Sequence, residues 1–132
     1  MNKILYQTVR HNHFDGAMSI VTIHILDLNF GRSTHEIMVL LEFSSPDGWL
    51  QIGQKSCVLG RMEELFTGEK LTGGIYRISA NVAAYRNLIG RRSSYPYIPV
   101  VFEVTDNQQN YDISLMLSES GYTVNVGDTD VV

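Results

Sequence analysis

The feature that most constrains this chain is alternation with a period of two, in short runs separated by turn residues. "YDISLMLS" places Tyr111, Ile113, Leu115 and Leu117 on one face, with Asp112, Ser114, Met116 and Ser118 on the other. "SIVTIHILD" sets Val21, Ile23 and Ile25 against Thr22, His24 and Leu26 in the same way. "EIMVLLEF" is a near-continuous apolar run, fit for a buried strand. "SPDGW" turns the chain, and "WLQIGQKSC" returns as a strand. "VLGRMEELF" holds a further turn at Gly60, and "TGEKLTGG" reads as a polar, glycine-rich connection. "GIYRISA", "YIPVVFEVTD", "YDISLMLS" and "YTVNVG" complete seven or eight short strands, spaced as in a β-sandwich. One stretch breaks the period. In "NVAAYRNLIG", Asn81 caps, the alanines favour helix and Gly90 ends it, so one short helix is predicted there.

A length of 132 residues supports one domain with one core. Residues 1–18 show no period and read as a flexible N-terminal extension, leaving 19–132 as the folded domain. His11 and His13 in that extension lack a matching ligand pair elsewhere and read as a solvated tail, so neither a metal nor another cofactor is expected. The formal net charge of −4 argues against a nucleic-acid partner, which would favour a basic stripe. The basic pair Arg91–Arg92 reads as a solvated loop. No run approaches the roughly 20 apolar residues of a membrane span. The N-terminus also lacks the apolar run of about 7–15 residues that a signal peptide requires. A cytoplasmic location is therefore expected. The single cysteine, Cys57, excludes an internal disulfide and reads as a small packing residue.

Four blocks, "IHILDLNFGR", "TGGIYRISANVAAYRN", "YPYIPVVFEV" and "YDISLMLSESGY", resemble in order and spacing the transthyretin / 5-hydroxyisourate hydrolase family. The resemblance covers about residues 19 to 128. It implies an all-β, transthyretin-like sandwich of two four-stranded sheets with one short helix. It also implies a homotetramer, a dimer of dimers, whose central channel holds the small-molecule sites. One branch of the family hydrolyses 5-hydroxyisourate there, and the other binds thyroid hormone, so the fold alone leaves function open.

The hydrolase branch carries its signature at a few places. The histidine of its "THVLD"-like strand is kept as His24, and the arginine of its "DGR"-like turn is kept as Arg61. The histidine of "YHVPLLLS" is replaced by Asp112, and the "YRGS" tetrapeptide by "NVGD", which ends in Asp128. Histidine to aspartate exchanges a base with pKa of about 6.5 for an acid of about 3.9, which at neutral pH accepts hydrogen bonds and cannot donate. His24, Arg61, Asp112 and Asp128 are the expected catalytic set. His24 is the general acid or base, and Asp112 orients it as a direct cross-strand neighbour. Arg61 binds an anionic group or stabilises an oxyanion, and Asp128 serves as a second acid/base. The expected function is a divergent family enzyme on a cyclic polar molecule, by hydrolysis or by a biosynthetic rearrangement. The alternatives are a non-catalytic carrier, an ordinary 5-hydroxyisourate hydrolase, and a structural protein with an unused channel.

Overall fold

A computed structural model describes residues 18–29, 35–69, 71–105 and 108–130. Their strands are β1 (Met18–Asp27), β2 (Glu36–Ser45), β3 (Gly48–Val58), β4 (Met62–Glu69), β5 (Gly74–Asn81), β6 (Tyr97–Val104), β7 (Gln108–Leu117) and β8 (Tyr122–Asp130). One helix, α1 (Val82–Leu88), lies between β5 and β6. The strands form two four-stranded sheets ordered β4-β1-β7-β8 and β3-β2-β5-β6. All neighbours are antiparallel except β1 and β7, which run parallel. This is the all-β sandwich with one short helix that the alternation implied. The proposed extension lies almost wholly outside the described residues, and β1 already begins at Met18.

The period of two decides what is buried. Val21, Ile23, Ile25, Tyr111, Ile113, Leu115 and Leu117 line the inner face of the first sheet. Ile37, Val39, Leu41, Tyr76, Ile78, Ile98, Val100 and Phe102 oppose them from the second. Phe43, Tyr76, Phe102 and Tyr111 form a chain of ring contacts through the interior, with centroids 5.1 Å, 5.9 Å and 5.6 Å apart in that order. Such tilted and offset pairs add to the area they bury. β2 differs from expectation. Its apolar run is buried on one face only, and Met38 is exposed, because a two-layer sandwich offers each sheet a single inner face. "TGE" also belongs to β4 rather than to a connection, since Thr67–Glu69 pair with Met18–Ile20.

Gly74 opens β5 at φ +154°, and a Cβ there would stand 2.9 Å from Cε1 of Phe43. Gly74→Ala is therefore expected to destabilise the fold by about 2 kcal/mol, combining backbone strain with displacement of a core ring. Thermal denaturation checks this, and an unchanged midpoint contradicts it.

α1 starts as predicted. The Asn81 side chain accepts a hydrogen bond from the Ala84 N–H at 3.2 Å, and Gly90 follows the helix at φ +71°. The helix also fixes a buried polar cluster between the sheets. The Tyr85 hydroxyl donates to Asp27 at 2.7 Å, and the Asn29 N–H donates to the other Asp27 oxygen at 3.0 Å. Arg86 donates to the Ser118 carbonyl at 2.6 Å and to the Tyr95 hydroxyl at 3.0 Å. Burial, followed by the hydrogen bond to Asp27, pushes the Tyr85 hydroxyl well above its usual pKa, so it stays a donor.

Candidate active site on the outer face of the first sheet

The outer face of β4-β1-β7-β8 is built in rows by strand register. One row reads Glu64, Thr22, Asp112, Gly127 across the four strands. The next reads Met62, His24, Ser114, Asn125. Beyond it, Leu26, Met116 and Thr123 continue the face over three strands. The result is a polar block of carboxylates, hydroxyls, an amide and an imidazole, edged by Met62 at 61% and Met116 at 40% exposure.

His24 and Asp112 share this face, as the alternation predicts, but they are not direct neighbours. Thr22 stands opposite Asp112, and His24 stands opposite Ser114. The expected cross-strand His–Asp pair is therefore corrected to a diagonal one, with a separation of about 7–8 Å between such positions. The reason is the parallel register of β1 and β7, which lies two residues away from the expected one and so keeps both side chains on the same face. Asp112 instead accepts a hydrogen bond from the Thr22 hydroxyl. Among the described residues this is the hydrogen bond made by its carboxylate.

Arg61 is exposed in the turn between β3 and β4. That turn is pinned to β1 by the Gly60 N–H, which donates to the Ile25 carbonyl at 2.8 Å, and Arg61 directly precedes Met62, the partner of His24. Asp128 has the register position of Tyr111, and it is Gly127 that lies opposite Asp112. The structure thus brings His24 and Asp112 onto one face, places Arg61 at its rim, and puts Asp128 one step away from the row in which Asp112 stands. The alternation had already assigned Thr22 and Ser114 to this face. Glu64 and Asn125 were missed because only register, not local pattern, brings them there.

Cys57 is buried, and its thiol is pushed up to about 12, first by burial and then by the Glu63 carboxylate. A thiol with that pKa stays protonated at neutral pH and is no nucleophile, as its packing role requires. Arg91 is exposed and faces Glu119 at 3.7 Å, an ordinary surface pair. Among the described residues no group of three or more His, Cys, Asp or Glu stands together as a metal site, and no helix is long and apolar enough to cross a membrane.

The model of the HIUase/Transthyretin family matches residues 21–127. The chain belongs to this family. Members similar to it include a 5-hydroxyisourate hydrolase of Salmonella dublin, 28% identical over 106 residues, covering 80% of this chain and 78% of the relative. A probable 5-hydroxyisourate hydrolase of Caenorhabditis elegans is 30% identical over 104 residues, covering 78% and 77%. The mouse 5-hydroxyisourate hydrolase is 30% identical over 108 residues, covering 80% and 92%. Among solved structures, transthyretin from Sparus aurata superposes with a TM-score of 0.74 at 23% identity, covering 83% of this chain and 97% of that one. That likeness establishes the transthyretin-like fold.

Proposed function

We propose that this protein is an enzyme that opens or rearranges a cyclic polar small molecule on the outer face of the first sheet, as a divergent member of the hydrolase branch. The observation that carries the reading is the polar block itself. Two adjacent rows present His24, Ser114, Asn125, Asp112 and Glu64 on one face, in a family whose related members are 5-hydroxyisourate hydrolases. The His24 side chain forms no hydrogen bond among the described residues, while its backbone belongs to β1, so its imidazole is available to take a proton from water or from substrate. Arg61, at the rim, supplies a fixed positive charge for an oxyanion or an anionic substituent. Asp112, held by Thr22, acts on the substrate rather than as a support for His24.

The assembly proposed for this face is a homotetramer of the 14.9 kDa chain. β8 is an edge strand with Tyr122, Val124 and Val126 exposed, and such edges call for a partner. A carrier without catalysis is the second reading. Met62 and Met116, exposed on the same face, favour it because they would pack against an apolar ligand.

Freshly generated 5-hydroxyisourate, assayed beside the mouse enzyme, separates these readings. Turnover is expected at least about tenfold below that of the mouse enzyme, because Asp112 lacks the proton that a histidine donates, and Asp112→His should recover part of the difference. Equal rates identify an ordinary hydrolase. Tight binding of cyclic ureides and lactams without turnover of any of them identifies a carrier.

A further inference from the structure

We propose that residues 1–17 of this chain dock on the outer face of the second sheet, where they cover an apolar patch built around Trp49 and Val101. The inference stands apart from the proposed function, because this face belongs to the other layer of the sandwich.

The patch departs from what alternation dictates for a solvated face. Strand parity turns Met38, Trp49, Ile75, Tyr97 and Val101 outward, away from the core, and all five are exposed. A group of large apolar side chains on one face marks a surface that something covers. The patch is also stiff. The Arg77 guanidinium stands over the Trp49 ring at 4.2 Å, and its Nε and Nη2 donate to Glu42 Oε1 at 3.0 Å and 2.8 Å. A ring held in this way has little freedom left to lose when it is covered. Glu42 neutralises Arg77, so Glu36 and Glu103 leave the face acidic. A second copy docking here would bring the same carboxylates and meet like charge.

Residues 1–17, "MNKILYQTVRHNHFDGA", have the complementary character. They carry Ile4, Leu5, Tyr6 and Val9, with Lys3 and Arg10 against the single carboxylate of Asp15. They also join the fold at the right end. Met18 pairs with Glu69, and the Ser19 hydroxyl accepts a hydrogen bond from the Leu71 N–H at 2.7 Å. At this same end the chain passes from the first sheet to the second between Glu69 and Gly74, and the next residue is Ile75 of the patch. An equally short crossing leaves about a dozen residues to lie along the face, and at about 3.3 Å per extended residue they exceed the eight-residue length of β6. The outer face of the first sheet, with its polar block, offers these apolar side chains no such surface.

Trp49 is the only tryptophan of the chain, so its fluorescence reads this face alone. A variant that begins at Met18 is expected to show red-shifted emission and stronger quenching by acrylamide than the full chain, at every protein concentration. Should that variant fail to fold, point variants of the full chain decide. Ile75→Gln and Val101→Gln, both at exposed positions, should each speed trypsin cleavage after Arg10 several-fold. Together they should speed it by at least about tenfold, since they remove apolar contacts and cleavage follows the population of the undocked segment. Met62→Gln, on the outer face of the first sheet, should leave that rate unchanged. The inference is overturned by unchanged emission and quenching in a folded variant that begins at Met18, or by cleavage indifferent to Ile75 and Val101. Faster cleavage in Met62→Gln overturns it by placing the segment over the first sheet. Protection of Trp49 that disappears on dilution overturns it by assigning the cover to a second copy.

Discussion

His24→Ala is expected to lower turnover by about 100-fold or more on whichever cyclic ureide the wild-type protein consumes, 5-hydroxyisourate being the first to try. A loss of that size corresponds to about 2.7 kcal/mol of transition-state stabilisation, within the range of a general acid or base. The expectation rests on the position of His24 in the middle of the outer face, between Met62 and Ser114, where its ring faces outward while Ile23 and Ile25 face the core. The fold should survive, because the side chain belongs to no buried cluster. A fall in kcat with an unchanged thermal midpoint is the decisive pair of measurements. Arg61→Ala should act mainly on KM if the guanidinium binds substrate, and on kcat if it stabilises an oxyanion. Full activity in both variants would remove this face from the chemistry.

Arg86→Leu is expected to cost about 3 kcal/mol of stability and to lower the melting temperature by about 10 °C. Arg86 is only 3% exposed, and its guanidinium holds the Ser118 and Glu119 carbonyls at 2.6 Å and 3.4 Å together with the Tyr95 hydroxyl at 3.0 Å. Leucine is apolar and much shorter, and it leaves those acceptors without their donor. It also removes the positive charge that acts, along with Asp27, on the Tyr85 and Tyr95 hydroxyls inside the same cluster. Asp27, 2% exposed, keeps its hydrogen bonds from Tyr85 and Asn29 in the variant, so the loss falls on the acceptors that Arg86 holds. Arg86→Lys should fall between the two, since an ammonium keeps the charge without the planar fork. A melting point within about 2 °C of wild type for Arg86→Leu would show that the cluster contributes little.

Much of the fold was legible because alternation is a local property. "SIVTIHILD" and "YDISLMLS" assign their inner and outer residues without knowledge of any partner strand, and the structure buries the expected face of each. The helix was legible for the same reason, since Asn81 and Gly90 act within a few residues of themselves. Register was not legible. Whether Thr22 or His24 stands beside Asp112 is decided between segments 90 residues apart, and no feature of either strand alone fixes it. The buried charges were missed for another reason. Arg86 and Asp27 have the composition of surface residues, and what exposes the error is parity: Asp27 follows Ile23 and Ile25 on the inward side of β1. The site was half visible. Its chemical residue types could be read from the chain, while their neighbours depended on the sheet.

The parallel pairing of β1 with β7 has a consequence in time. The second sheet is assembled from β2, β3, β5 and β6 through antiparallel pairings alone, and all its strands have been synthesised once the ribosome passes Val104. In the first sheet, β1 is made early but has only β4 to pair with until β7 emerges. The parallel contact closes a loop of some ninety residues, so its formation carries a large entropic cost and comes late in synthesis. During that interval the outer-face residues of β1, Thr22 and His24 among them, stand beside an unpaired strand edge, which is the kind of surface that invites wrong partners. The rows from which the site is built therefore cannot exist before β7 and β8 have been made. They come into being only when these two strands arrive, so the site forms later than the second sheet.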